Sequence, residues 1–190
     1  MVASSIFSGT SVGYDRRPVV SHMRTYNWPP WQLNFWILIM LLASCTIIGV
    51  FAVFTQMQAQ LGLPVPWYFP YYITVGCLAI LYIGGIFWLI ATRRLLPAIV
   101  MIGAFMLFVM WLVGLVVVSI QLWGPSGSVQ SNCNAYVFSQ NPTGKTLGTL
   151  AWMQQRNICQ SWQLVFAMGL IGAIFLIWVM IMAYQVFVNS

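Results

Sequence analysis

Residues 35–54 read FWILIMLLASCTIIGVFAVF, an apolar run with no acid, lysine, arginine, histidine or proline. As a helix rising about 1.5 Å per residue it is about as long as the bilayer hydrocarbon is thick. Three further runs repeat the pattern, at residues 71–90, 96–120 and 164–184. Between Leu33 and Trp123 the only Asp, Glu, Lys, Arg or His residues are Arg93 and Arg94, and 160–190 contains none. A water-soluble core of this size has nothing charged to cover it, whereas lipid can solvate its surface. The expected fold is all-α, a four-span transmembrane helix bundle.

Composition agrees: 61% of residues are hydrophobic and 4% charged, against roughly 25% charged in ordinary soluble domains. The first 26 residues are rich in Ser, Gly and Thr and hold no apolar signal-peptide core, so 1–30 reads as a flexible cytosolic tail. Residues 31–190 form the membrane domain, with span one as an uncleaved anchor. Arg16, Arg17, Arg24, Arg93 and Arg94 lie on one side of the predicted spans, and Lys145 and Arg156 on the other. This bias places both termini and the 93–94 turn in the cytosol. The net charge of +6 is spread along membrane edges, which suits anionic lipid rather than nucleic acid.

Trp28, Trp31, Trp36 and Trp88 flank the predicted inner span ends, and Trp67, Trp123 and Trp162 the outer ones, as interfacial anchors. Trp111 and Trp178 fall deeper and call for an indole partner or a packing role. No proline interrupts a span interior, so the broken helices of transporter sites are not expected. Cys45 with Gly49, Gly84 with Gly85, and Gly169 with Ala173 put small side chains on helix faces, permitting close packing within the bundle or between copies. Cys45 and Cys77 read as small buried residues with no neighbouring base.

The loop at 124–161 holds Cys133 and Cys159. On the non-cytosolic side two cysteines are expected to form a disulfide. Zinc is the competing reading, but the loop has no His, Asp or Glu to complete a site. Leu147, Leu150, Trp152 and Met153, followed by Gln154, Gln155 and Arg156, predict a short amphipathic helix lying on the outer leaflet before span four.

Several landmarks carry a family resemblance: Ser131-Asn132-Cys133, Ala151-Trp152-Met153-Gln154, Ile158-Cys159-Gln160-Ser161-Trp162, and Gln32-Leu33-Asn34-Phe35-Trp36. With four spans and a longer, cysteine-paired second loop, the chain resembles small fungal membrane proteins of the MARVEL-like group. The resemblance implies lateral membrane organisation, traffic or service as an accessory subunit, with no catalytic motif to carry over. The chain lacks the long charged C-terminal tail of many such proteins, which weakens a cytoskeletal role.

Function is therefore expected to be non-enzymatic: organising membrane, or serving as an accessory or oligomeric subunit of a larger assembly at the plasma membrane or in the secretory pathway. The expected contacts are the lipid bilayer and either further copies or a larger membrane-protein partner, with no metal or cofactor. A small channel or transporter subunit is the alternative. It requires a polar path, for which Ser44, Thr46, Thr55, Gln56, Thr74, Ser119, Gln121 and Gln185 are the candidates.

Overall fold

The computed structural model describes residues 30–92, 97–125, 128–140, 142, 144 and 146–189. Four long helices dominate: α1 (Pro30–Gln60), α2 (Tyr68–Ala91), α3 (Pro97–Trp123) and α5 (Leu147–Val188). A short α4 (Val129–Cys133) and a π turn (Asn134–Phe138) lie between the last two. All four long helices have the length and apolar composition to cross a bilayer. The chain is a four-span transmembrane helix bundle.

Local chemistry sets the helix ends. Pro30 and Pro97 open α1 and α3, where a missing N–H leaves no hydrogen bond unmade. Gly62 ends α1 at φ 67°, a conformation that spares only a residue without Cβ. Its N–H reaches the Ala59 carbonyl while Leu63 N–H reaches back to Gln58, which together satisfy the terminal carbonyls. Thr146 caps α5 by accepting from the Thr149 N–H.

Side-chain contacts fix the direction of each helix. Phe51 stacks on Tyr72 while Trp36 meets Tyr82, so α1 and α2 are antiparallel. Tyr82 bonds Val100 and Tyr72 bonds Gly114, which reverses α3 against α2. Trp36 bonds Phe175 while Phe54 stacks on Trp162, which reverses α5 against α1. α1 packs on α2 and α5, and α3 packs on α2 and α5, closing a ring whose diagonal backbones stay farther apart. One end of the bundle carries the 61–67 and 124–146 connections (the loop end), and the other holds the start of α1 and the end of α5 (the terminal end).

Several expectations change. α5 is one continuous helix of 42 residues, about 63 Å long, so the segment around Leu150 and Trp152 is not a separate helix lying on the membrane. Trp36 and Trp162, expected as interfacial anchors, are buried in the core. Trp36 is drawn inward because the Phe175 carbonyl offers its indole N–H an acceptor at 2.7 Å. Cys45 and Cys77 are not buried but face outward from the bundle. Arg16, Arg17, Arg24, Arg93 and Arg94, and residues 1–29 of the predicted tail, lie outside the described residues.

Candidate functional site: aromatic bolts in the spans and a stapled cap

Within the spans, a small set of aromatic donors links each helix to a neighbour. Tyr71 donates to the Met110 carbonyl at 2.8 Å, Tyr82 to Val100 at 2.6 Å, and Tyr72 to Gly114. Trp111 donates to the Gly169 carbonyl at 2.8 Å, as Trp36 does to Phe175. Each carbonyl has a second lone pair beyond its own helix bond, so an added donor is accepted without opening the helix. These bonds set the rotational register of the bundle without a charged group.

Glycines make the space. A Cβ at Gly114 would come within 2.8 Å of the Tyr72 ring, one at Gly103 would strike Tyr82, and one at Gly172 would lie 2.5 Å from the Trp111 indole. Each ring therefore lies against a glycine of the next helix. Gly76 plays the same part for Ile48 at the α1–α2 crossing. Among the small residues singled out from sequence, Gly169 and Ala173 are buried, and a Cβ at Gly169 would meet Leu115 at 3.0 Å. Gly49, Gly84 and Gly85 have open space where a Cβ would stand, and Cys45 is exposed. Their faces point outward, so these four make no close packing inside this chain. Gly76 and Gly172 were not singled out from sequence. The available signal was an aromatic residue on one span whose bulk needs a gap on another.

The polar side chains of the spans do not converge. Thr46, Thr55 and Thr74 each return their hydroxyl to the carbonyl four residues earlier, and Ser119 to the one three earlier. Gln56 and Gln185 are exposed. Ser44 alone among these is fully buried, and its hydroxyl has no partner. The cavity between α1, α2, α3 and α5 has a volume of about 10 Å³ and is lined mainly by apolar groups such as Ile47, Val75, Val118 and Val165. That is room for about one water.

At the loop end, α4, the π turn and the first turns of α5 form a cap. Cys133 and Cys159 are at disulfide distance, their Cα atoms 6.0 Å apart. Val137 packs with them, and Val129 and Trp152 lean on the cluster. The π turn presents its Val137 carbonyl to the Trp152 indole N–H at 2.8 Å. On the same ring the Arg156 guanidinium stands 5.3 Å from the centroid, a cation–π contact. Gln163 donates to the Gln130 side chain at 3.0 Å, and Trp123 meets Phe166 edge-on at 4.7 Å. The cap is thus held by the cysteine pair at disulfide distance, the Trp152–Val137 and Gln163–Gln130 hydrogen bonds, and apolar and aromatic contact. No family model, curated protein or solved structure matches the chain.

Proposed function

We propose that this integral membrane protein is non-enzymatic and acts through its surfaces, organising membrane or serving as an accessory or oligomeric subunit of a larger membrane assembly. The observation that carries this reading is how the polar groups of the spans are used. Tyrosine and tryptophan donors bind helix to helix, the Thr46, Thr55, Thr74 and Ser119 hydroxyls return to their own backbone, and a wide apolar surface faces outward. A channel or transporter subunit calls instead for polar side chains facing a common path. The exposure of Gln56, Thr74 and Gln185 weighs against that alternative. Likeness to the fungal MARVEL-like tetraspans belongs to this same proposal. Its contacts are then lipid and protein rather than nucleic acid.

The proposed placement is the plasma membrane or secretory pathway, with the loop end outside and both termini cytosolic. Five arginines in the sequence before α1 and between α2 and α3, and a disulfide-distance pair at the loop end, support this. A membrane-impermeant maleimide is expected to label Leu63→Cys in intact cells and Asn189→Cys only after permeabilisation. The reverse pattern overturns the orientation.

The function itself is tested by extracting the chain from its native membrane directly into nanodiscs and sizing the particle. A mass above that of one chain, from further copies or a second protein, is expected. A single chain alone, together with selective solute flux from the purified protein in liposomes, moves the channel reading ahead.

A further inference from the structure

We propose that the exposed ridge formed by Leu150, Met153 and Arg156 on α5 is a docking surface for an acidic, apolar-faced segment of a partner membrane protein. The inference rests on the accessory-subunit reading and gives the partner's chemistry. These three residues follow one another at i, i+3 and i+6, an oblique row that covers about 120° of the helix surface. Leu150 is 60% exposed and Met153 45%, and Arg156 is exposed at the foot of the row. Trp152 and Cys159, which fasten the cap, lie opposite Leu150, and Trp152 adjoins Arg156 at the lower end of the row.

Taken as a straight helix that enters the hydrocarbon near Leu164, α5 carries the ridge above the lipid. The apolar part of α5 begins near Leu164, and a polar belt of Gln154, Gln155, Asn157, Gln160 and Gln163 lies between it and the ridge. Leu150 is 14 residues before Leu164, about 21 Å along the axis. Headgroups extend only about 5–8 Å beyond the hydrocarbon on each side. Even a helix tilted by about 40° keeps the ridge clear of them. An exposed apolar row in water, continuous with a membrane bundle, has the character of a protein contact.

Charge decides between a second copy and a different protein. Residues 31–190 contain no Asp or Glu, so nothing in the membrane domain offers Arg156 a carboxylate side chain. The guanidinium lies on the Trp152 face and has no hydrogen-bond partner among the described residues, so its N–H edge can bind a carboxylate through two hydrogen bonds. A second copy would bring only another Arg156 and another Lys145 to the contact. A partner with apolar side chains beside Asp or Glu fits both halves of the ridge.

The test uses the full chain in neutral phosphatidylcholine nanodiscs and three synthetic helical peptides, each with a leucine face flanked by Glu, Gln or Lys. The Glu peptide is expected to bind roughly tenfold tighter than the Gln peptide, the equivalent of one charge-assisted pair. Arg156→Gln should abolish that difference, Arg156→Lys should keep part of it, and Leu150→Asn should weaken Glu and Gln peptides alike. These exposed variants are checked for an intact cap by their non-reduced mass. Equal binding of Glu and Lys peptides overturns the proposal. So does equal binding to empty nanodiscs, which identifies lipid, or a homodimer abolished by Leu150→Asn, which identifies a second copy. In native nanodiscs, a hetero-complex unaffected by Leu150→Asn and Arg156→Gln rejects the ridge and leaves the accessory reading standing. A chain that travels alone yet discriminates the peptides rejects the accessory reading and supports the ridge chemistry.

Discussion

Gly172→Leu is expected to destabilise the bundle more than a leucine at any other glycine singled out in the spans. A Cβ there would lie 2.5–2.7 Å from three atoms of the Trp111 indole, including Nε1. Trp111 is 4% exposed and tied to the Gly169 carbonyl, and the cavity beside it, about 10 Å³, is too small to take the displaced ring. Overpacking of a filled core costs about 1–3 kcal/mol, and loss of an interhelical hydrogen bond in a membrane adds about 0.6–1.7 kcal/mol. The sum, roughly 2–5 kcal/mol, is a large share of a typical folding stability. Trp111→Phe separates the two contributions, since it removes the donor and makes room at once. Its expected cost is at the lower end of that range. Gly84→Leu and Gly49→Leu act as controls, because open space lies in front of both. They are expected to leave intrachain stability within about 0.5 kcal/mol. Unfolding by increasing SDS in mixed micelles, followed by tryptophan fluorescence, measures all four. Equal damage from Gly84→Leu and Gly172→Leu would reject the ring-on-glycine account.

The second large effect concerns the cap. Cys133→Ser and Cys159→Ser are each expected to loosen α4 and the π turn from α5. The bond spans a sequence separation of 26, and closing a loop of that size restricts the unfolded chain by about 3–4 kcal/mol in the chain-entropy model. The double variant should be no worse than either single one, because each single change already removes the bond. Beyond the crosslink, the cap has few other ties: the Trp152–Val137 bond, the Gln163–Gln130 bond and a small apolar cluster. Proteolysis at residues 124–146 should therefore accelerate while the spans stay protected, and a reductant acting on the parent chain should reproduce the effect. Free thiols at Cys133 and Cys159 in the non-reduced protein, found by mass spectrometry, would remove the basis for this expectation.

The sequence by itself determined the number of spans, their approximate places and the cysteine pair of the loop. Each follows from a property that a single stretch of chain carries. Twenty apolar residues without a charge have one stable environment, whichever helices surround them. Likewise, a loop with two cysteines and no other metal-ligating side chain leaves few chemistries open. Tertiary structure decided what depends on the rotation of one helix against another. The apolar spans have little contrast between their faces, so periodicity could not tell Gly172, beneath an indole, from Gly84, facing open space. Nor could it tell Trp36, drawn inward by the Phe175 carbonyl, from an interfacial anchor. In water the buried face of a helix is marked by its hydrophobicity, but in lipid both faces are apolar and that mark is lost. Register then falls to ring-and-gap complementarity and to the few side chains able to donate to a backbone carbonyl. The length of α5 was hidden for a related reason. Its polar belt resembles the end of a span, and only the cap packed on Trp152 and Cys159 accounts for a helix that continues past it.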